Sequence, residues 1–184
     1  MPEEGSVYAP LDALETLARH QVRFVVIGGY AAQLRGSPSV TRDTDICYSR
    51  DDENLERLAA ALQELQATLR GAPKDIPFIP DAKTLRMGDH FTFDSVAGAL
   101  DCLGTPAGVR SFEELERVAD SFDLGGFTVK VASIDDLIRM KRAAGRPKDL
   151  IEVEVLGALR DEIDEQARTD RKRRRNEDRR GSGR

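Results

Sequence analysis

Two carboxylates one residue apart, Asp43 and Asp45, stand in the segment Gly36-Ser37-Pro38-Ser39-Val40-Thr41-Arg42-Asp43-Thr44-Asp45-Ile46. On an extended strand alternate side chains share a face, so these two would lie side by side about 7 Å apart along the chain. Like charges that close raise each other's pKa and resist ionising together. A divalent cation relieves the conflict, and an oxygen-only donor set suits Mg2+ or Mn2+. The competing reading is two acids on a solvated face or in a turn, since Asp-x-Asp is frequent by chance. A third acid, Asp101, interrupts the otherwise apolar run Ala99-Leu100-Asp101-Cys102-Leu103. A carboxylate is costly to bury without a partner, so Asp101 is either part of a metal site or exposed on an edge strand. Asp94 is a weaker candidate, because its own run is already half polar.

Phosphate chemistry would need donors nearby. The apolar run Arg23-Phe24-Val25-Val26-Ile27 leads straight into Gly28-Gly29 and then Tyr30-Ala31-Ala32. A buried strand that turns into a helix over two glycines leaves backbone N–H groups open to close approach by a phosphate. An ordinary tight turn has the same sequence. Lys141 extends the stripe Ile134, Leu137, Ile138 at helical spacing, and so either snorkels to water or reaches into a site. Asp149 heads the stripe it forms with Val153 and Leu156, which equally suits stabilisation of a helix N-terminus. Arg146 and Lys148 lie between these two helices and could grip phosphate or simply face water. His20 and His90 have no ligand spacing, and Cys47 and Cys102 read as small buried apolar side chains.

The elements that must position these groups follow from periodicity. Helices are expected over Leu11 to His20, Tyr30 to Arg35, Asp51 to Arg70, Phe112 to Val118, Ile134 to Ala144, and Pro147 to about Ala167. The Asp51 to Arg70 helix rests on Leu55, Leu58, Leu62, Leu65 and Leu69, which step by three and four. Strands are expected over Arg23 to Ile27, Arg42 to Tyr48, Asp89 to Val96 and Ala99 to Leu103, with a hairpin around Gly125-Gly126. Ala72 to Pro80 reads as a loop, and Ser133 to Asp136 as a capping box with Asp in the acidic position. Strands and helices mixed around one sheet make this an α/β or α+β chain rather than a bundle.

Length and composition narrow the classes further. At 184 residues the chain can bury a sizeable core in one compact unit. No apolar run approaches the ~18–20 residues of a membrane span, and the first ten residues, with Glu3 and Glu4, lack a secretion-leader pattern. Two cysteines make neither a disulfide framework nor a zinc site, so a reducing, cytoplasmic setting is expected. The net charge of −5 hides an asymmetry. Residues 168–184 hold nine Lys/Arg and three Asp/Glu, against 19 and 30 in the remainder. Such a basic end suits a nucleic-acid partner through counterion release, or is a disordered, solvated tail.

Taken in order, Val26-Ile27-Gly28-Gly29-Tyr30-Ala31-Ala32, Gly36-Ser37-Pro38, Thr41-Arg42-Asp43-Thr44-Asp45-Ile46, Gly98-Ala99-Leu100-Asp101, and Asp136-Leu137-Ile138-Arg139-Met140-Lys141 through Arg146-Pro147-Lys148-Asp149-Leu150 resemble the minimal nucleotidyltransferases of the polymerase-β-like superfamily. More narrowly they resemble its AbiEii/MenT-type toxin branch. The resemblance implies a mixed sheet flanked by helices, with a core over 1–131, packed helices over 132–167 and a basic tail over 168–184. It implies Asp43, Asp45 and Asp101 as metal ligands and catalytic groups with Lys141 and Asp149. It further implies that Gly28 and Gly29 approach the triphosphate, with Thr41, Arg42, Arg146 and Lys148 as the other candidate nucleotide-binding residues. Many relatives carry Arg where this chain has Ser39, and Arg35 and Arg42 are the candidate replacements. The implied reaction moves a nucleoside monophosphate from an NTP, with Mg2+ or Mn2+, to the 3′ end of tRNA, under restraint by an antitoxin protein and with no membrane partner. An enzyme acting on a small molecule such as an antibiotic, or on a protein hydroxyl, and a non-catalytic relative are the alternatives.

Overall fold

The computed structural model describes residues 8–73 and 78–181. Its centre is one seven-stranded mixed sheet in the order β3-β4-β5-β2-β1-β7-β6. The strands are β1 (Phe24–Ile27), β2 (Asp43–Tyr48), β3 (Thr68–Leu69), β4 (His90–Ser95), β5 (Gly98–Leu103), β6 (Asp120–Asp123) and β7 (Thr128–Val131). The helices are α1 (Pro10–Arg19), α2 (Gly28–Leu34), α3 (Asp52–Glu64), α4 (Ala82–Met87), α5 (Phe112–Val118), α6 (Ile134–Ala144) and α7 (Pro147–Gly181). β2 runs antiparallel to β1 and parallel to β5. β1 is buried along its whole length, as its continuous apolar sequence requires.

Alternation in β2 and β5 separates two faces. Thr44, Ile46, Leu100 and Cys102 are buried, together with Phe93 of β4 and Leu14, Leu17, Leu55, Leu58 and Leu62 of α1 and α3. The intervening residues Asp43, Asp45, Ala99 and Asp101 are half-buried on the opposite side. Helix α6 packs on α7, burying Leu137 and Ile138 with Val153 and Leu156. Half of the expected capping box is present: Ser133 Oγ accepts from the Asp136 N–H at 3.1 Å, and the Asp136 carboxylate turns to the Ser133 hydroxyl, which donates to Oδ2 at 2.7 Å. Gly145, at φ +67°, ends α6 in the left-handed conformation.

Two expectations change, and one unforeseen helix appears. The helix predicted over Asp51 to Arg70 stops at Glu64, and Thr68–Leu69 instead pair antiparallel with Asp94 and Phe93 of β4. Gln66 takes a left-handed turn at φ +51°, which frees the chain to reach the sheet edge while Leu65 and Ala67 remain buried. The leucine spacing is therefore met partly by a helix and partly by a turn and a strand. A short helix over Ala82–Met87, capped by Asp81, follows the Pro-rich stretch; four residues of the loop expected there, 74–77, lie outside the described region. The last helix continues past its expected end near Ala167 to Gly181, into the basic segment, with residues 182–184 outside the description. Beyond Leu159 the side chains described along it, to residue 174, are mostly exposed. No helix among the described residues is long and apolar enough to cross a membrane.

Asn54 joins three segments that the sequence pattern leaves unrelated. Its side chain accepts from the Arg23 N–H at 2.6 Å and donates to the carbonyls of Arg23 (3.1 Å) and Ser49 (2.7 Å), so it ties the entry of β1 and the exit of β2 to α3. Asn54→Ala strips partners from three backbone groups and should lower stability by about 2–4 kcal/mol, measured by urea unfolding.

Candidate active site

Register builds the site. Parallel pairing sets Asp45 opposite Asp101 and Asp43 opposite Ala99, so three acids face one side of adjacent strands. One carboxylate oxygen from each lies within 4.8 Å of the others. Burial, then the charges of Asp43 and Asp101, push Asp45 up to about 7, against the opposing pull of Lys141 and the Gly29 N–H. Burial also raises Asp101, with Arg70 opposing. Three convergent oxygen donors whose mutual repulsion disfavours full ionisation fit a hard divalent cation.

The glycines serve these carboxylates as well as any ligand. Gly28 stands at φ +67°, and a Cβ there would fall inside the Asp45 carboxylate, 2.7 Å from its Cγ. A Cβ on Gly29 would fall 2.8 Å from Thr41 Cβ. Only glycine lets the strand-to-helix turn close this tightly on the acids. Thr41 Oγ1 donates to Asp43 Oδ1 at 2.6 Å and fixes that side chain. Tyr8 reaches the same place from the N-terminal segment, its hydroxyl donating to the Asp43 carbonyl at 3.4 Å, and burial raises its phenol to about 12.

Around the acids opens a cleft of about 550 Å3, into which Gly28, Gly29, Thr41, Arg42, Lys141, Arg146 and Lys148 all face with Asp43, Asp45 and Asp101. Asp149 does not reach it. It is fully buried behind Lys141, whose Nζ lies 3.5 Å from Asp149 Oδ1 and also pairs with Glu152. Arg146 grips Asp149 with its backbone N–H (3.1 Å), Nε (2.7 Å) and Nη2 (3.1 Å), which holds the carboxyl down to about 2. Arg42 and Lys148 make no ion pair among the described residues. Arg35 is not a cleft residue: it binds the Ala132 and Val131 carbonyls and Asp120 and stacks over Phe122. Of the two candidate replacements for the missing arginine, only Arg42 faces the cleft. His90 lines the cleft wall, bonded to the Thr105 carbonyl, whereas His20 pairs with Glu64 elsewhere.

No protein-family model and no curated protein matches the chain. Among solved structures, the lincosamide antibiotic adenylyltransferase LnuA, lincomycin-bound, aligns with a TM-score of 0.54 at 11% identity, over 81% of this chain and 94% of that one. ANT(2″)-Ia in complex with adenylyl-2″-tobramycin aligns at 0.47 and 16% identity, over 82% and 94%. The chain has the nucleotidyltransferase fold.

On this fold, three residues around the acids escaped sequence reasoning. Arg70 lies 3.1 Å from Asp101 Oδ1 and bonds Asp94 at 3.0 Å, but a reading that keeps it in α3 hides it. Glu152 sits three residues after Asp149 and so shares its helix face; that spacing was the available signal. Tyr8 had none, being 35 residues from its partner.

If the three acids hold a divalent cation, Mn2+ should raise the melting temperature of the wild-type chain, and Gly28→Ala, which displaces Asp45, should abolish that rise while circular dichroism stays native. Asp149→Asn tests the buried clamp. A carboxyl whose folded pKa is depressed contributes stability that is full above the unfolded value near 3.9 and is lost as pH falls towards 2. The variant should therefore melt below wild type at pH 6, with the gap closing between about pH 4 and 2 in thermal scans.

Proposed function

We propose that the chain is a nucleotidyltransferase that moves a nucleoside monophosphate from an NTP to an acceptor hydroxyl and releases pyrophosphate. The observation that carries this reading is the convergence of Asp43, Asp45 and Asp101 in a cleft that also holds Lys141, with Arg42 and Lys148, which make no ion pair among the described residues. Asp43, Asp45 and Asp101 would hold Mg2+ or Mn2+, which when bound supplies positive charge to the phosphates and acidifies the attacking hydroxyl.

The chain's own groups supply the rest. Gly28 and Gly29 let phosphate oxygens approach the backbone, and Arg42 and Lys148 orient the triphosphate. Lys141, held by Asp149 and Glu152, presents its ammonium to charge that grows on the leaving pyrophosphate. The acceptor oxygen bonds the α-phosphorus as the α-phosphorus bond to the bridging oxygen breaks. The hydroxyl proton passes to a carboxylate of the trio, Asp101 being the candidate base.

The acceptor in this reading is the 3′ end of tRNA, with an antitoxin protein as restraint. The support is the resemblance of the motif order to that of the toxin branch, together with the exposed cations Arg168, Arg171, Lys172 and Arg174 on α7. The likeness to an antibiotic adenylyltransferase favours a second reading, in which the acceptor is a small-molecule hydroxyl.

Each α-labelled NTP is incubated with Mg2+ and, in turn, total tRNA, an aminoglycoside or lincosamide, and a protein extract. Label should enter tRNA, and Asp43→Asn and Asp45→Asn should each lower transfer by about 10³-fold or more with native melting curves. Label in the drug alone selects the second reading. Full activity in both variants overturns the assignment of the carboxylates, and no transfer to any acceptor leaves a binding protein.

A further inference from the structure

A second concavity lies across the loop of residues 105–110 from the carboxylate cleft. It encloses about 330 Å3 and is lined by Arg110, Arg117 and Arg139, with Ser111, Glu114 and Asp136 among its other walls. The loop divides the two spaces: Pro106 and Ala107 face the cleft, Val109 and Arg110 face this cavity. Gly108 presses the loop onto α6, where a Cβ would sit 2.9 Å from the Arg139 carbonyl oxygen. Cleft and cavity are thus neighbours on either side of one packed strip of chain.

The cavity lining holds Arg110, Arg117 and Arg139 against Glu114 and Asp136, a small positive balance in an acidic protein, although α5 also carries Glu113 and the Arg23-paired Glu116. Residues 139–148 carry Arg139, Lys141, Arg142, Arg146 and Lys148 and no acid, in a chain of net charge −5. Asp136 is only 3% exposed, bonded to the Ser133 hydroxyl and to Arg139 Nη2 at 2.7 Å, so its charge is spent inward. Nearby Asp135 is paired with Arg160. Glu114 remains the one acid of the lining without an ion pair among the described residues. Arg110, Arg117 and Arg142 are exposed and likewise make no ion pair among the described residues. Arg142 stands one turn beyond Arg139 on the same helix.

We propose that this surface docks the phosphodiester backbone of a nucleic-acid acceptor and leads its end into the carboxylate cleft. The inference rests on the reading that the acceptor is RNA. Guanidinium groups spread over a loop, α5 and α6 match successive phosphates better than one small anion, and their planar forks suit phosphate oxygens. A protein partner would want an apolar anchor to bury, and Val118 is the single large apolar side chain of the lining that is strongly exposed. None of the three free arginines faces the NTP cleft, so the surface adds acceptor affinity without taking part in the chemistry.

The test uses the full chain and unfractionated tRNA, with binding followed by fluorescence anisotropy at increasing KCl. Arg110, Arg117 and Arg142 are replaced together by Ala; Arg139 is kept because it neutralises buried Asp136. The triple variant should bind at least about tenfold more weakly at 0.1 M salt, and its log–log salt slope should be shallower by about two. A second variant, with Arg168, Arg171, Lys172 and Arg174 replaced by Ala, measures the α7 contribution separately. An unchanged slope in the triple variant overturns the proposal, as does loss of binding to a poly-glutamate peptide with no change for tRNA. A wild-type chain that binds tRNA through these arginines but transfers no nucleotide to it supports the surface and fails the acceptor reading. Transfer to tRNA with an unchanged slope does the reverse.

Discussion

Mutual repulsion among Asp43, Asp45 and Asp101 is the constraint around which this molecule is arranged. Parallel pairing of β2 and β5 brings their oxygens within 4.8 Å, in a half-buried place where water cannot screen them well. Each neighbouring feature limits that cost. Thr41 donates to Asp43, the Gly29 N–H and Lys141 favour the charged form of Asp45, and Arg70 leans on Asp101. The remaining conflict, visible in the raised Asp45, is what a divalent cation would relieve. A site strained in this way is poised for a ligand rather than for maximal stability.

The cationic side depends on a different device. Lys141 is set by the α6–α7 packing, and behind it Asp149 is buried within the grasp of Arg146. A buried carboxylate with three donors from one arginine residue is an inflexible base on which to rest a lysine. Asp149 thus joins the site as a support and not as a group that meets the substrate. Arg42 and Lys148, by contrast, hold no ion pair among the described residues and can follow a ligand. The two kinds of cation, anchored and free, divide positioning from binding.

Net charge is a poor guide to partners here because the charges are segregated. The acids that matter most are turned into the cleft, and a basic strip runs through the last half of α6 into α7. At short range such local charge outweighs distant charge, so the net value says little about which partner a given face can hold.

The amino-acid sequence by itself determined a good deal of this. Period-two alternation set Asp43, Asp45 and Asp101 on one face of their strands, the Gly28-Gly29 turn marked where a strand enters a helix, and helical spacing placed Lys141 on the apolar stripe of α6 while leaving open whether it met water or a site. The sheet and its flanking helices also followed from local pattern, because apolar periodicity and capping residues act over a few neighbours. What only the tertiary structure decided depends on segments far apart in the chain. The Thr68–Leu69 edge strand, and with it the placing of Arg70 on Asp101, forms because β4 offers an unpaired edge, although the leucine spacing there reads as helix. Tyr8 at Asp43, Asn54 between β1 and β2, and the withdrawal of Asp149 behind Lys141 have the same origin. A hydrogen bond or ion pair across many residues leaves no local period, so it becomes legible only when the chain has closed on itself.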